Sequence, residues 1–183
     1  MVRMDYIDIH NFEQRYQAAA SCMKRSKISE ENKALILEFD KTLSLIDRTS
    51  LSRRIRVLEY LFIFARDFLK KNFDQASKED LKDALEKLEN SGRYSAWTKI
   101  GYRSLIKKFY RWLEFKDAYN DPDKKHDFPK TVSWISTRAR QEELTKVTAS
   151  DILTEVEIAA ILDAASEDIR NEAIVATLYE DGC

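Results

Sequence analysis

Apolar residues recur at every third or fourth position through most of the first 115 residues, which predicts amphipathic helices. Five helices are predicted, and each buries its apolar stripe: residues 12–25, Ser29 to about Ile46, Ser50 or Ser52 to about Lys71, Ser77 to about Asn90, and Ser95 to about Phe115. Three glycines and two prolines in 183 residues leave few breaks between them. The pattern therefore predicts an all-α fold.

Polar residues mark several helix starts. Ser77 with Asp80, and Thr154 with Glu157, have the spacing of a capping box. Ser166 is predicted to cap a last helix, whose first turn would hold acidic residues that the helix dipole favours. In the fifth helix, the side chains predicted to face the core are Ile100, Leu105, Ile106, Phe109, Trp112 and Leu113.

Residues 116–152 break the helical pattern with both prolines and dense charge, which predicts a linker. A short apolar patch inside it, from Val132 to Ile135, is predicted to pack against a neighbouring domain. The sequence therefore divides into N-terminal helices (1–47), a helical domain (48–115), a charged linker (116–152) and a C-terminal segment (153–183).

Net charge is −1 overall but is unevenly distributed along the chain. Residues 1–47 have a net charge of −1, residues 48–148 of +8, and residues 149–183 of −8. A basic central segment joined to an acidic one is typical of a nucleic-acid-binding domain attached to a different domain. Ordinary variation of surface charge is the alternative interpretation.

The basic segment contains two groups of candidate DNA-binding residues. One is on the fifth helix, where cations recur at every fourth position beyond an N-terminal turn with two hydroxyls: Ser95, Thr98, Lys99, Arg103, Lys107 and Arg111. The other is the first turn of the third helix: Arg53, Arg54 and Arg56. Cations there oppose the helix dipole, a cost that a phosphate would relieve. A solvated polar face is the alternative.

Catalytic and metal-binding patterns are missing from the sequence. There are two histidines and two distant cysteines, with no zinc spacing and no glycine-rich phosphate loop, so neither a metal nor a cofactor is expected. The cysteines suggest no disulfide framework, which favours a reducing compartment. No apolar run is long enough for a membrane span, and the first residues lack a signal-peptide pattern, so a cytoplasmic location is expected.

Four stretches carry a recognisable pattern in their order and spacing: the third helix, ASKEDL at Ala76–Leu81, YSAWTKIGYRSLIKKFYRWL at Tyr94–Leu113, and LTEVEIAAILDAASEDIRNEAIVATLYEDGC at Leu153–Cys183. Together they resemble tyrosine recombinases of the phage-integrase type. Glu31-Asn32-Lys33 followed by Ile36 and Phe39, and the Val132–Trp134–Ile135 patch, resemble the archaeal-type branch. The resemblance implies a SAM-like core-binding domain, a linker and two helices of an incomplete catalytic domain. It also implies a role in DNA integration and recombination, with duplex DNA and other recombinase protomers as partners.

The same resemblance implies that the first catalytic arginine of the family would follow Cys183. Tyr179 precedes that position and does not match the nucleophilic tyrosine. None of the family's catalytic residues is therefore assigned to this chain, and we expect it not to cleave DNA. Two other functions stay open: a helical protein-interaction module, and a naturally short DNA-binding regulator of a recombinase.

Overall fold

The computed structural model describes residues 10–124, 127–138 and 152–180. The chain forms two compact units, Met1–Ala139 and Arg140–Cys183. Within the described residues all regular secondary structure is helical, which confirms the all-α prediction. In that part of the chain, no helix has both the length and the apolar character that crossing a membrane requires.

Five α-helices belong to the first unit and two to the second, counted over the described residues. The helices are α1 (Phe12–Arg25), α2 (Glu30–Leu45), α3 (Leu51–Ile63), α4 (Lys78–Asn90), α5 (Ala96–Phe115), α6 (Glu155–Ala165) and α7 (Ile169–Glu180). A π-helical segment, Phe64–Leu69, extends α3, and short 3₁₀ turns cover Phe73–Gln75, Lys116–Ala118 and Pro122–Lys124. The five helices predicted between residues 12 and 115 are thus confirmed.

The predicted third helix, however, does not stay α-helical to Lys71. The Lys70 amide donates to the carbonyl of Ala65 (3.2 Å), five residues back, and this contact closes the π-helical segment. Lys70 itself has a φ of 55°, in the left-handed region, and ends the helix. The sequence pattern could not distinguish a π-helical ending from an α-helical one, because the wider π turn also buries Phe68 and Leu69 in the core.

Side-chain caps begin α2 and α4 at the residues where the sequence predicts these helices to start. Ser29 Oγ accepts from the Asn32 amide (3.2 Å) at α2. At α4 the capping box is complete, because Ser77 Oγ accepts from the Asp80 amide (3.2 Å) and the Ser77 amide donates to Asp80 Oδ2 (2.9 Å). Such a cap stabilises a helix by about 1 kcal/mol.

The core of the first unit centres on aromatic side chains of α5. The Phe109 ring meets Phe73 at 4.7 Å between centroids and Phe39 at 5.2 Å, edge to face. Trp112 also packs on Phe39 and donates its indole N–H to Thr42 Oγ1 (3.1 Å). These contacts join α2, α5 and the turn before α4 into an aromatic cluster.

The inward face predicted for α5 needs one correction. Ile106, Phe109 and Trp112 are buried, while Leu105 and Leu113 are half-buried and pack against the core. Ile100 is only half-buried and is not among the core residues. At about 100° per residue, Ile100 points about 120° away from Ile106, which turns it toward the solvent side.

The chain folds back on the first unit after α5. Val132 and Ile135 are buried in its core, so the prediction that this apolar patch packs against a domain is confirmed. Tyr119, also in the segment predicted as a linker, is buried there as well. In its described residues, this segment therefore contributes side chains to the packing of the first unit.

In its described residues the second unit holds two helices. The predicted capping box at α6 is confirmed, because the Glu157 amide donates to Thr154 Oγ1 (3.3 Å). The prediction that Ser166 caps the last helix is wrong. Ser166 instead ends α6, donating its hydroxyl to the Asp163 carbonyl (2.6 Å). Asp168 directly precedes α7 and accepts from the Arg170 amide (2.9 Å). Both residues are common cap formers, and only the position of the turn selects between them.

Candidate nucleic-acid interface

The first turn of α3 presents its three arginines to different surroundings. Ser50 precedes the helix, and its hydroxyl contacts that of Ser52 (3.2 Å). Arg53 and Arg56 are exposed, and a spacing of three residues puts them on the same side of the helix. No acidic residue lies in this turn. The exposed side of α3 therefore begins with two cations that no neighbour on the first turn neutralises.

Arg54 points the other way, into the junction of α1, α2 and α3. Its guanidinium donates to both carboxylate oxygens of Asp40 (2.8 and 2.6 Å), to Ser44 Oγ (3.0 Å) and to the Tyr16 hydroxyl (3.2 Å). Asp40 is only 2% exposed. The hydrogen bonds to Asp40 raise the pKa of Arg54 further above its ordinary value, and burial raises the pKa of the Tyr16 hydroxyl.

Arg54 thus differs from its neighbour Arg53 in what it can bind. The Tyr16 hydroxyl also donates to Asp40 (2.5 Å), and the Arg54 guanidinium lies over the Tyr16 ring, 5.0 Å from its centroid. This network, which we call the Arg54 network (Tyr16, Asp40, Ser44, Arg54), ties three helices together. A phosphate could engage Arg54 only by displacing these contacts.

The first turn of α5 faces α3 across a cleft of about 330 Å³. Ser95 caps the helix and accepts from the Thr98 amide (3.3 Å), while the two hydroxyls lie 3.1 Å apart. The Thr98 amide is therefore already hydrogen-bonded within the cap and is not open to a phosphate. The α3–α5 cleft is lined by Arg56, Val57, Tyr60, Trp97, Thr98, Gly101 and Leu105.

The walls of the α3–α5 cleft are held close together. A Cβ on Gly101 would lie 3.3 Å from Cε2 of Tyr60, so the absence of a side chain lets α5 approach α3. The Tyr60 ring in turn stacks on buried Tyr102, with 4.2 Å between centroids and 11° between planes. Burial raises the pKa of the Tyr102 hydroxyl far above its ordinary value, so this tyrosine stays neutral.

Trp97 is the residue of this site that the sequence interpretation missed. It is 66% exposed and stands at the cleft beside Arg56 and Thr98. A signal for it was present, because Trp97 lies outside the apolar stripe formed by Ile106, Phe109 and Trp112. An exposed tryptophan near a cation offers a flat apolar surface that stacks on bases or packs against sugars.

The four regularly spaced cations of α5 do not form one open face. Lys99 donates to the Glu89 carbonyl (2.7 Å), and Arg103 forms an ion pair with the Glu89 carboxylate (2.7 Å). Lys107 lies 4.4 Å from the centroid of the Phe128 ring. Arg111 donates to the Tyr119 carbonyl (2.9 Å) and lies over the Tyr119 ring. All four are half-buried, and each has a partner within the first unit.

The predicted residues are therefore distributed over four places. Arg56 and Thr98 meet at the α3–α5 cleft, with Arg53 exposed one turn earlier on α3 and Ser95 capping α5. Arg54 belongs to its own network. Lys99 with Arg103 holds the end of α4, and Lys107 with Arg111 holds the segment after α5. Among the described residues, no group of three or more histidine, cysteine or acidic side chains could hold a metal ion.

No protein-family model matches this chain, and searches of curated proteins and of solved structures found no match either. The resemblance to tyrosine recombinases therefore depends on the sequence stretches quoted above.

Proposed function

We propose that the first unit is the SAM-like core-binding domain of an archaeal-type tyrosine recombinase, and that it binds duplex DNA during integration and recombination. The observation that carries this proposal is the α3–α5 cleft, where Arg56 and exposed Trp97 lie together in the part of the chain with a net charge of +8. The order and spacing of the resembling stretches support the same assignment. Other protomers of the recombinase would then be its protein partners.

We expect fewer of the candidate residues to contact DNA than the sequence suggests, because only some of them are exposed. Arg53 and Arg56 are exposed on one side of α3 and would bind phosphates, with Thr98 and Ser95 as neutral hydroxyl contacts. Trp97 would pack against the sugar–phosphate backbone or a base edge. Lys99, Arg103, Lys107 and Arg111 would contribute mainly by holding α5 and its neighbours in place, since their contacts lie within the unit.

Under this proposal the described part of the chain binds DNA through its phosphates. Binding through phosphates is independent of sequence and strongly dependent on salt, because each neutralised phosphate releases counterions. Specific recognition of a target would need contacts to base edges in a groove. Arg53 and Arg56, on the exposed side of α3, are the side chains that would make them.

The salt dependence of binding to a labelled duplex tests the proposal. Each phosphate contact contributes about −0.9 to the slope of log affinity against log salt. Replacing Arg53 and Arg56 together by glutamine should therefore flatten that slope by about 1.8, with unchanged helical circular dichroism. The matched control replaces the exposed lysines Lys82 and Lys87 of α4, beside Asp83 and Glu86, and should leave the slope unchanged.

Equal slopes for the parent and for Arg53→Gln/Arg56→Gln, at every salt concentration, would exclude the α3 cations as DNA contacts. The second candidate function, a helical protein-interaction module, would then be the stronger one. It is favoured by the apolar side chains that α6 and α7 expose, among them Val156 (80%) and Ile169 (84%). Exposed apolar groups of this kind mark surfaces for protein contacts. Concentration-dependent sedimentation of the chain would support that function.

A further inference from the structure

A second basic site lies near the far end of α3, away from the α3–α5 cleft. A pocket of about 300 Å³ opens between the turn before α2 and the π-helical end of α3. It is lined by Lys27, Ile28, Ser29, Asn32, Ala65, Arg66, Lys70, Lys71 and Asn72, and we call it the basic pocket. Four of these residues are cations, and within the described chain no carboxylate is among them.

The walls of the basic pocket are fixed by buried hydrogen bonds. Asn32, only 3% exposed, donates its amide N–H to the Lys71 carbonyl (2.9 Å) and accepts from the Phe73 amide (2.8 Å). Ser29 Oγ donates to Asn72 Oδ1 (2.6 Å). These bonds fasten the turn at residues 71–73 to the start of α2. The pocket is therefore preformed, and a ligand would bind without ordering this turn first.

The cations of the pocket are only partly neutralised. Arg66 pairs with Asp67 (2.6 Å) and Lys71 with Asp80 (2.8 Å). Lys27 and Lys70 are exposed and have no ion pair among the described residues. Two positive charges thus remain at the mouth of a concave site that has polar side chains in its walls. An anion placed there would relieve their mutual repulsion.

We propose that the basic pocket binds a phosphate group, supplied either by a nucleic-acid backbone or by a small phosphorylated molecule. Lysine ammonium groups bind phosphate oxygens as point charges, and a guanidinium can add a two-point contact. Serine and asparagine side chains supply the neutral contacts that phosphate sites commonly use. This inference is independent of the proposed function, because none of its residues belongs to the α3–α5 cleft.

The test uses a variant that removes the two unpaired cations and preserves the fold. In Lys27→Gln/Lys70→Asn, asparagine is chosen at position 70 because it tolerates the left-handed φ of 55° found there. Inorganic pyrophosphate is titrated into the full chain at low ionic strength, and amide chemical shifts are followed by NMR. We expect saturable shifts at Asn32 and at residues 70–73. In the variant, pyrophosphate affinity should fall about tenfold or more, since two charge-assisted contacts are lost.

A second arm identifies the source of the phosphate. If a nucleic-acid backbone occupies the pocket, the variant should also flatten the salt slope of duplex binding by about 1.8. If a small phosphorylated molecule occupies it, pyrophosphate binds but that slope is unchanged. Either result supports a phosphate site. The inference is overturned if pyrophosphate shifts none of these residues, or shifts them equally in the parent, the variant and the Lys82→Gln/Lys87→Gln control. A parent chain that binds pyrophosphate but no duplex would contradict the proposed function alone.

Discussion

The Arg54 network makes the sharpest prediction about stability. Arg54→Ala removes a guanidinium with four hydrogen bonds, two of them to the carboxylate of Asp40. Asp40 is buried at the junction of three helices, and its side chain is only 3% exposed. The mutation would therefore leave a buried carboxylate whose remaining described side-chain contact is the Tyr16 hydroxyl.

The expected loss follows from the cost of that unpaired charge. Removing one partner of a buried ion pair costs about 3–5 kcal/mol. Loss of the cation over the Tyr16 ring adds about 0.5–1 kcal/mol at most. We therefore expect Arg54→Ala to lower the free energy of unfolding by about 3.5–6 kcal/mol, a large share of the roughly 5–15 kcal/mol of an ordinary domain.

Urea unfolding followed by circular dichroism measures this change, with Arg53→Ala as the matched control. Arg53 is the adjacent residue on the same helix but is exposed, so its replacement should change stability by no more than about 0.5 kcal/mol. Arg54→Lys should fall between the two, since lysine keeps the charge but loses the two-point contact. The double variant Asp40→Asn/Arg54→Gln should lose less stability than the sum of the losses in Asp40→Asn and Arg54→Gln, because it leaves no unpaired buried charge.

Similar unfolding free energies for Arg54→Ala and Arg53→Ala would refute this reasoning. Arg54 would then be a surface cation like its neighbour, and it would return to the set of candidate phosphate contacts. The variant therefore also decides which arginines of α3 are available to DNA.

Three further predictions concern a cap, a turn and the exposed tryptophan. The Lys71 and Ser77 hydrogen bonds lower the pKa of Asp80 from 3.8 to about 2, so its contribution to stability is present above pH 4 and is lost as pH falls toward 2. Thermal melts across that range should therefore show a smaller dependence on pH for Asp80→Asn. Gly92→Ala should destabilise the chain by about 1 kcal/mol in urea unfolding, because a side chain is strained at its φ of 62° although the surrounding space is open; an unchanged midpoint would contradict this. Trp97→Ala should change stability little, since the ring is 66% exposed, but should weaken duplex binding in fluorescence anisotropy; unaltered affinity would remove Trp97 from the interface.

Local structure in this protein was largely predictable from the sequence. Helix periodicity and caps depend on residues within about four positions of one another, and these contacts form in the same way in most surroundings. Ser29, Ser77 and Thr154 therefore cap helices where expected. The error at Ser166 is of the same local kind, because Asp168, two residues later, competes for the same role.

Only the tertiary structure decided whether each cation is exposed or paired within the protein. Arg53 and Arg54 are adjacent and chemically identical, yet a rotation of about 100° along the helix leaves one in solvent and turns the other toward Asp40 of α2. Lys99 and Arg103 likewise find Glu89, which belongs to α4. The sequence determined where the helices and positive charges lie along the chain. Which charges remain available to a ligand depended on residues far apart in sequence, whose approach is set by how the helices pack.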